Sequence, residues 1–254
     1  MTTPVLHRPA DTPVHRLAPE VKVVGAVSAV LGVVATPREA FWAFALHLLV
    51  LVGVWAAARI PPGWLARRAV IEVPFVVFAL VLPFVSGGPR TDVLGVAVSA
   101  EGLLAGWNIV AKGTLGLLVS LTLAATTHPG ELVTGLRRLR VPGTLTTMAG
   151  LMLRYVEVIV SEARRMSRAR LARGDDPRFL WQAGGLARGV GTLFLRSFER
   201  GERVHLAMLS RGFRAGAPDT HTADGPRAAP GQWAAALVPG TVIAGVCGVA
   251  LWLG

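Results

Sequence analysis

Long stretches without a charged residue constrain this chain more than any other feature. Four long stretches and two shorter ones cover residues 23–37, 40–58, 73–89, 102–111, 113–130 and 232–254. A helix of about 20 apolar residues crosses the roughly 30 Å of hydrocarbon in a bilayer, and only helices or closed barrels satisfy the backbone there. The sequence therefore predicts an all-α, polytopic helical membrane protein with five to six transmembrane helices.

The overall composition agrees with this prediction. Hydrophobic residues make up 52% of the 254 residues and charged residues only 16%, which leaves too little polar surface for a soluble globular protein. The first 20 residues contain four prolines and no apolar stretch before Val21, so we expect a cytoplasmic N-terminal segment and no cleaved signal peptide. Cys247 is the one cysteine, which excludes an internal disulfide and a cysteine metal cage.

The positive charge is concentrated in one segment. Residues 137–214 contain sixteen arginines against six acidic residues, and this segment carries nearly all of the net charge of +11. Basic segments beside membrane helices remain on the cytoplasmic side. We therefore expect this basic segment to be cytoplasmic, although a solvated basic surface facing anionic lipid would have the same charge.

Two helices with a common ending are predicted inside this basic segment. Residues 145–173 contain no proline, and their apolar residues recur at helical spacing before Gly174, a residue that can end a helix in the left-handed conformation. The frame Ala-x-Leu-small-Arg-Gly occupies residues 169–174 and recurs at residues 207–212, before a second stop at Gly212. The repeat predicts two equivalent helix ends.

The repeated arginine of each frame is the main candidate for partner binding. The two candidate motifs consist of Ala172, Arg173 and Gly174, and of Ser210, Arg211 and Gly212. A cation at a helix C-terminus favours the helix dipole, which alone accounts for one such arginine but not for a repeated hexapeptide. A guanidinium also offers a planar fork to carboxylates or carbonyls, which lysine does not reproduce.

The chain resembles a known family in several motifs that follow one another in the expected order. These are TPVHRLAPEVK at residues 12–22, EGL at 101–103, TTHP at 126–129, LRY at 153–155, and the helix that begins with LFLRSFER at residue 193 and ends with the second motif. In these stretches the chain is similar to the T component of energy-coupling factor transporters, in particular the CbiQ branch associated with cobalt uptake. Ser210 is a small departure, because the family has alanine there.

The resemblance implies both the partners and the roles of the arginines. In the family, two Ala-Arg-Gly-type motifs end long coupling helices, so Arg173 and Arg211 would each engage one of two cytosolic ABC ATPase subunits, or one protomer of an ATPase homodimer. Movement of the ATPase subunits would be transmitted to a substrate-binding S component in the lipid bilayer. Cobalt is the first candidate substrate, with nickel or a vitamin as alternatives, and no nucleic acid partner or cofactor is expected.

The sequence offers no sign of catalysis by this chain itself. No phosphate-binding G-x-x-x-x-G-K-[ST] motif occurs, so a partner must hydrolyse ATP. The six histidines are scattered without ligand spacing, and no metal site is predicted. Glu101, Asn108 and Lys112 share one face of a predicted membrane helix, either bracing the bundle or contacting the S component, although Glu101 can simply begin the helix.

These observations divide the chain into five parts. We predict an N-terminal cytoplasmic segment, membrane helices, a basic cytoplasmic coupling-helix region, a flexible linker and a C-terminal transmembrane helix, at residues 1–20, 21–130, 131–214, 215–231 and 232–254. Two other functions compete with the energy-coupling role. A basic membrane-anchored scaffold for anionic lipid or nucleic acid explains the charge but not the repeat, and an intramembrane enzyme lacks convergent titratable groups.

Overall fold

The computed structural model describes residues 8–87, 90–93, 96–175, 184–214 and 228–253. Its helices in chain order are α1 (Pro19–Ala35), α2 (Phe41–Ala58), α3 (Pro62–Ala69), α4 (Val73–Val85), α5 (Ala100–Thr126), α6 (Pro129–Arg138), α7 (Gly143–Ala172), α8 (Gly184–Ser210) and α9 (Pro230–Leu253). The predicted all-α, polytopic fold is confirmed. A 3-10 turn, Val70–Glu72, joins α3 to α4.

The sequence did not predict one small element. Strands β1 (Arg90–Val93) and β2 (Val96–Ser99) pair antiparallel between α4 and α5, with Arg90 opposite Ser99. The Ser99 hydroxyl then accepts a hydrogen bond from the Gly102 amide and so caps the first turn of α5.

The chain forms two compact units. One comprises Met1–Leu136 with Gly225–Gly254, which we call the membrane unit, and the other comprises Arg137–Asp224, which we call the arginine unit. Residues 215–227 of the predicted linker, which covers residues 215–231, lie outside the described residues. Helix α9 begins at Pro230, within the last part of that predicted linker.

Five helical segments are long and apolar enough to cross a membrane. They are Phe41–Ala58, Pro62–Val85, Ala100–Thr126, Gly143–Ala172 and Pro230–Val249. The second segment joins α3, the 3-10 turn and α4 into one span. Helix α1 has 17 residues and is shorter than these five. The chain is therefore a multi-pass membrane protein.

Helices α1 and α9 lie side by side in the membrane unit and run in the same direction. Ser28 faces Gly240, and one turn later Gly32 faces Ile243; at both glycines a Cβ atom would collide with the facing side chain. Small residues at such a crossing let two helix backbones approach closely, which is the main source of helix association in lipid. The absence of side chains at these glycines fixes the position of α9 on α1.

Helix α4 packs antiparallel on α5 through a second pair of glycines. A Cβ atom on Gly102 would lie 2.8 Å from the Leu82 carbonyl oxygen, and one on Gly106 would lie 2.6 Å from the Ala79 carbonyl oxygen. The G-x-x-x-G pattern at these positions is a weak signal in a glycine-rich sequence. Here it forms an intramolecular contact.

The core of the membrane unit lies among α1, α2, α5 and α9. Its most buried members include Val33, Phe44, Leu115, Ala125 and Ile243. Buried helix faces such as these exclude lipid, whereas the large apolar side chains of α4 face outward, as expected for a lipid-exposed helix.

The arginine unit consists of α7 and α8, which run antiparallel and contact each other. The predicted helix at residues 145–173 is confirmed as α7. The Arg196 guanidinium of α8 donates a hydrogen bond of 2.7 Å to Glu162 of α7, which also accepts from Arg165. An apolar groove of about 610 Å³ lies between the same two helices.

Candidate functional site

The ends of α7 and α8 have the same hydrogen-bond pattern. At the end of α7, the Gly174 amide donates to the Leu171 carbonyl at 3.0 Å and the Asp175 amide to the Arg170 carbonyl at 3.1 Å. This pair of bonds, one spanning three residues and one spanning five, defines a Schellman cap.

The second cap reproduces the first bond for bond. The Gly212 amide donates to the Leu209 carbonyl at 2.9 Å, and the Phe213 amide donates to the Met208 carbonyl at 3.0 Å. Phe213 and Met208 also lie together on the wall of the α7–α8 groove, which matches the apolar contact that accompanies such caps. The repeated hexapeptide therefore forms a repeated backbone structure.

Both glycines adopt the left-handed conformation that the sequence predicts. Gly174 has a φ of 79° and Gly212 a φ of 84°, a region that side-chain-bearing residues rarely occupy. The two arginines lie slightly later than expected. Arg173 and Arg211 are the first residues after the helices rather than members of the last turn, because α7 ends at Ala172 and α8 at Ser210.

The motif side chains are exposed at both ends. Ala172, Arg173, Ser210 and Arg211 all lie on the surface, and within the described residues neither arginine forms a hydrogen bond or ion pair through its side chain. An exposed guanidinium on a rigid cap keeps all five of its N–H donors available to a partner. Each cap thus presents one arginine in the same backbone setting.

A neighbouring ion pair distinguishes the first cap from the second. Arg170 donates from Nε to Asp175 at 2.8 Å, across the cap that contains Arg173. This hydrogen bond and the positive charge of the Arg170 guanidinium lower the pKa of the Asp175 carboxyl below its ordinary value. Asp175 is therefore ionised at neutral pH and forms an ion pair with Arg170.

The apolar stripes of the two helices meet only in part. Val156 and Ile159 of α7 and Val204 and Met208 of α8 line the groove between the helices, as the helical spacing predicts. Phe194 and Phe198 of α8 are instead exposed and stack on each other, with ring centroids 6.5 Å apart.

The three residues of the predicted polar face of α5, Glu101, Asn108 and Lys112, lie in three different environments. Glu101 is exposed in the first turn, in agreement with the simpler prediction that it begins the helix. The buried Oδ1 of Asn108 has no hydrogen-bond partner in the described part of the chain. Lys112 donates from Nζ to the Val34 carbonyl at 2.7 Å, and therefore binds a carbonyl in the last turn of α1.

Sequence reasoning missed a buried polar cluster where α1 begins. Lys22 is buried and donates to the carbonyls of His15 and Thr126, both at 2.9 Å, which ties the N-terminal segment to the end of α5. Glu20 is also buried and accepts from the Ala228 amide at 3.2 Å, just before α9. Charged residues at the edge of an apolar stretch were the available signal.

Two further buried polar residues lie deeper in the membrane unit. Glu72 sits in the middle of the Pro62–Val85 span and accepts a hydrogen bond of 2.9 Å from the Thr114 hydroxyl of α5. His47 is fully buried in α2, with Nε2 at 3.4 Å from the Ile243 carbonyl of α9. Both residues join neighbouring helices, and the described residues contain no cluster of three metal-ligating side chains.

Comparisons with known proteins give the identity of the family. The family model of the cobalt transport protein CbiQ matches residues 10–222. The energy-coupling factor transporter transmembrane protein EcfT of Bacillus selenitireducens is 29% identical over 222 residues, which cover 82% of each chain. EcfT of Bacillus subtilis is 26% identical over 226 residues, covering 82% of this chain and 83% of the relative.

A relative from the cobalt branch is also similar. The cobalt transport protein CbiQ of Rhodobacter capsulatus is 27% identical over 166 residues, which cover 65% of this chain and 66% of the relative. The family match includes both Schellman caps and all of the spans before α9. The chain therefore belongs to the CbiQ family and is the transmembrane T component of an energy-coupling factor transporter.

Proposed function

We propose that this T component couples two cytosolic ATPase subunits to a substrate-binding membrane subunit, through Arg173 and Arg211. The observation that carries the proposal is the pair of matching Schellman caps, each presenting one exposed arginine. Two equivalent contacts suit two copies of one ATPase or two similar ATPases. The chain acts as a non-catalytic subunit whose partners hydrolyse ATP.

The guanidinium fork explains why each contact uses arginine. Two parallel N–H groups can bind one carboxylate, or two neighbouring carbonyls, in an acidic groove of the ATPase. Truncating one member of such a desolvated charge pair costs about 2–5 kcal/mol of binding, which is at least a thirtyfold loss of affinity. The Schellman cap fixes the backbone position from which each arginine side chain extends, because Gly174 and Gly212 hold the backbone.

Charge asymmetry supports a cytoplasmic position for the arginine unit. Helix α1 begins, α5 ends and α9 begins at one end of the membrane unit, which we call the Lys22 side, and the chain leaves through α6 on that side. Arg8, Arg16 and Arg59 supply its positive charge. Under the positive-inside rule this side is cytoplasmic.

Helix α7 is treated as part of the coupling region in this proposal. Its first half is apolar enough to cross a membrane, but its second half carries Glu162 and a series of arginines ending at Arg173. Burying that many charges in hydrocarbon costs several kcal/mol for each unpaired group. We therefore propose that the apolar half contacts the membrane or the S component and that the basic half lies in the cytoplasm.

Cobalt is the proposed cargo of the assembled transporter. The family description and the Rhodobacter capsulatus relative both name cobalt transport. The other relatives carry the name EcfT, which states no substrate, so nickel and a vitamin are kept as alternative cargo. Uptake of radiolabelled Co²⁺, Ni²⁺ and vitamins by cells expressing the complete transporter distinguishes these substrates.

The coupling role is tested by co-purification with candidate ATPase subunits from the same organism. We expect Arg173→Ala and Arg211→Ala each to weaken assembly and ATP-driven uptake, and the double variant to abolish them. Arg168→Ala and Arg203→Ala are matched controls, because both remove an exposed arginine from the same helices away from the caps.

The outcome also separates the proposal from its main alternative. If the double variant still assembles with the ATPases and supports uptake, the coupling role of the two arginines is wrong. If no ATPase co-purifies and binding to anionic vesicles falls steeply with salt, the chain is instead a basic membrane-anchored scaffold.

A further inference from the structure

A crevice opens between α2 and α9 in the membrane unit. The two helices touch at His47 and Ile243 but separate toward the Lys22 side, where they leave a cavity of about 430 Å³. Cavities of about 300–1,000 Å³ are typical of ligand sites. We call it the α2–α9 crevice; it is lined mainly by Ala26, Leu51, Val54, Val119, Val242 and Ile243.

The walls of the crevice are almost entirely apolar. Lys22, Thr122 and Thr126 are the residues with polar side chains in its lining, and all three are buried and hydrogen-bonded. Thr122 accepts from the Trp55 indole at 2.7 Å and donates to the Leu118 carbonyl, while Thr126 donates to the Thr122 carbonyl. The hydroxyl groups of both threonines are already hydrogen-bonded, so the apolar part of the crevice away from Lys22 is a poor site for water.

The mouth of the crevice faces the lipid. Gly53 and Ala57 of α2 and Val238 and Val242 of α9 line it and are exposed, and both helices are candidate spans. A Cβ atom built on Gly53 meets nothing within 4 Å, which shows that the opening is not closed by a neighbouring side chain. Both helices are candidate membrane spans, so the mouth is open to an acyl chain of the surrounding lipid.

The inner end of the crevice carries a positive charge. Lys22 Nζ donates to two neutral carbonyls, those of His15 and Thr126, and retains a third N–H group. No carboxylate hydrogen-bonds to Lys22 in the described residues, and Glu131 acts on it only through space. From Lys22 to Ala29 the lining of α1 extends for about 10 Å, at 1.5 Å per residue.

We propose that the α2–α9 crevice binds one acyl chain of an anionic phospholipid, with the phosphate at the Lys22 end. The apolar walls select the chain, and Lys22 selects the negative headgroup over a zwitterionic one. One lysine near a lipid headgroup contributes about 1 kcal/mol, which corresponds to about a fivefold preference for the anionic lipid. The site lies within the membrane unit and requires no ATPase or substrate subunit.

Native mass spectrometry of the purified full chain, titrated with phosphatidylglycerol or phosphatidylcholine in detergent, tests the proposal. We expect one tightly retained phosphatidylglycerol and about fivefold weaker retention of phosphatidylcholine. Gly53→Leu and Ala57→Leu fill the mouth and should reduce the retained lipid about tenfold. Gly245→Leu is the matched control, because it adds the same side chain to an open, exposed position of α9 outside the crevice.

The headgroup is tested separately. Lys22→Gln keeps a hydrogen-bond donor for the two carbonyls but removes the charge, so the two lipids should then bind equally. Free inorganic phosphate at millimolar concentration should not displace the lipid, since the acyl chain supplies most of the affinity. Equal retention by Gly53→Leu and Gly245→Leu, with both variants monodisperse and helical, refutes the crevice as a lipid site. An unchanged preference in Lys22→Gln refutes the role of Lys22.

Discussion

The packing of α4 on α5 makes a quantitative prediction for the change Gly106→Ala. The new Cβ atom would lie 2.6 Å from the Ala79 carbonyl oxygen, which is about 1 Å closer than an ordinary contact between heavy atoms. The obstructing atom belongs to the backbone of α4 and does not rotate away as a side chain would. The two helices must therefore separate, and the packing along their whole contact is loosened.

A matched control isolates the cost of this collision. Gly116→Ala lies on the same helix, but its Cβ meets nothing within 4 Å. Each glycine-to-alanine change gains about 1 kcal/mol of helix propensity. The difference in free energy of unfolding between the two variants therefore measures the overpacking at Gly106, which typically costs about 1–3 kcal/mol. For a unit of this size, 1 kcal/mol shifts the melting temperature by about 2–4 °C. Gly106→Ala should therefore melt between about 2 and 12 °C below Gly116→Ala.

The assay is thermal unfolding of the full chain in one detergent, followed by tryptophan fluorescence and by circular dichroism. Gly102→Ala should behave like Gly106→Ala, because its Cβ would lie within 2.9 Å of three atoms of the Leu82–Ser86 segment. If Gly106→Ala melts at the same temperature as Gly116→Ala, α4 does not pack on α5 through this glycine, and the reasoning is wrong.

Two further predictions concern a helix end and a helix contact. Gly212→Ala should lower the free energy of unfolding by about 1–2 kcal/mol, because alanine is strained at a φ of 84°. Hydrogen exchange at the Phe213 amide should accelerate in this variant, and Gly212→Asn should have a smaller effect on both. Equal exchange rates in the wild type and in Gly212→Ala would contradict the cap. Lys112→Ala should lower the melting temperature and the recovery of the complex by removing the donor to the Val34 carbonyl. Unchanged melting and recovery, compared with Lys112→Arg, would show that Lys112 braces nothing.

The caps of α7 and α8 could be predicted because they depend on neighbours in the sequence. A Schellman cap needs a residue that tolerates positive φ and two hydrogen bonds within six residues. Gly174 and Gly212 meet that requirement wherever the helices are placed. The end of α5 at Thr126 also depends on nearby sequence, because Pro129 follows three residues later and does not continue a helix. Local chemistry of this kind is readable from one sequence.

The buried polar contacts of the membrane unit could not be predicted in the same way. Lys22 and Thr126 are 104 positions apart, and Glu20 and Ala228 are 208 apart, yet each pair is hydrogen-bonded. The sequence shows only that these charges border apolar stretches. Which carbonyl or amide satisfies each charge depends on which helices become neighbours, and no periodicity contains that information.

The sequence by itself determined that the chain is a helical membrane protein, where the two helices of its basic segment end, and which arginines stand at those ends. Hydrophobic length and helix capping act over one helix or less, so composition and spacing are sufficient for them. Only the tertiary structure decided that α4 packs on α5 at Gly102 and Gly106, and that Lys22 joins the N-terminal segment to α5. It also decided that α2 and α9 separate and leave a crevice between them. These features arise where residues distant in sequence meet, because in lipid the packing between helices, rather than hydrophobicity, selects their neighbours.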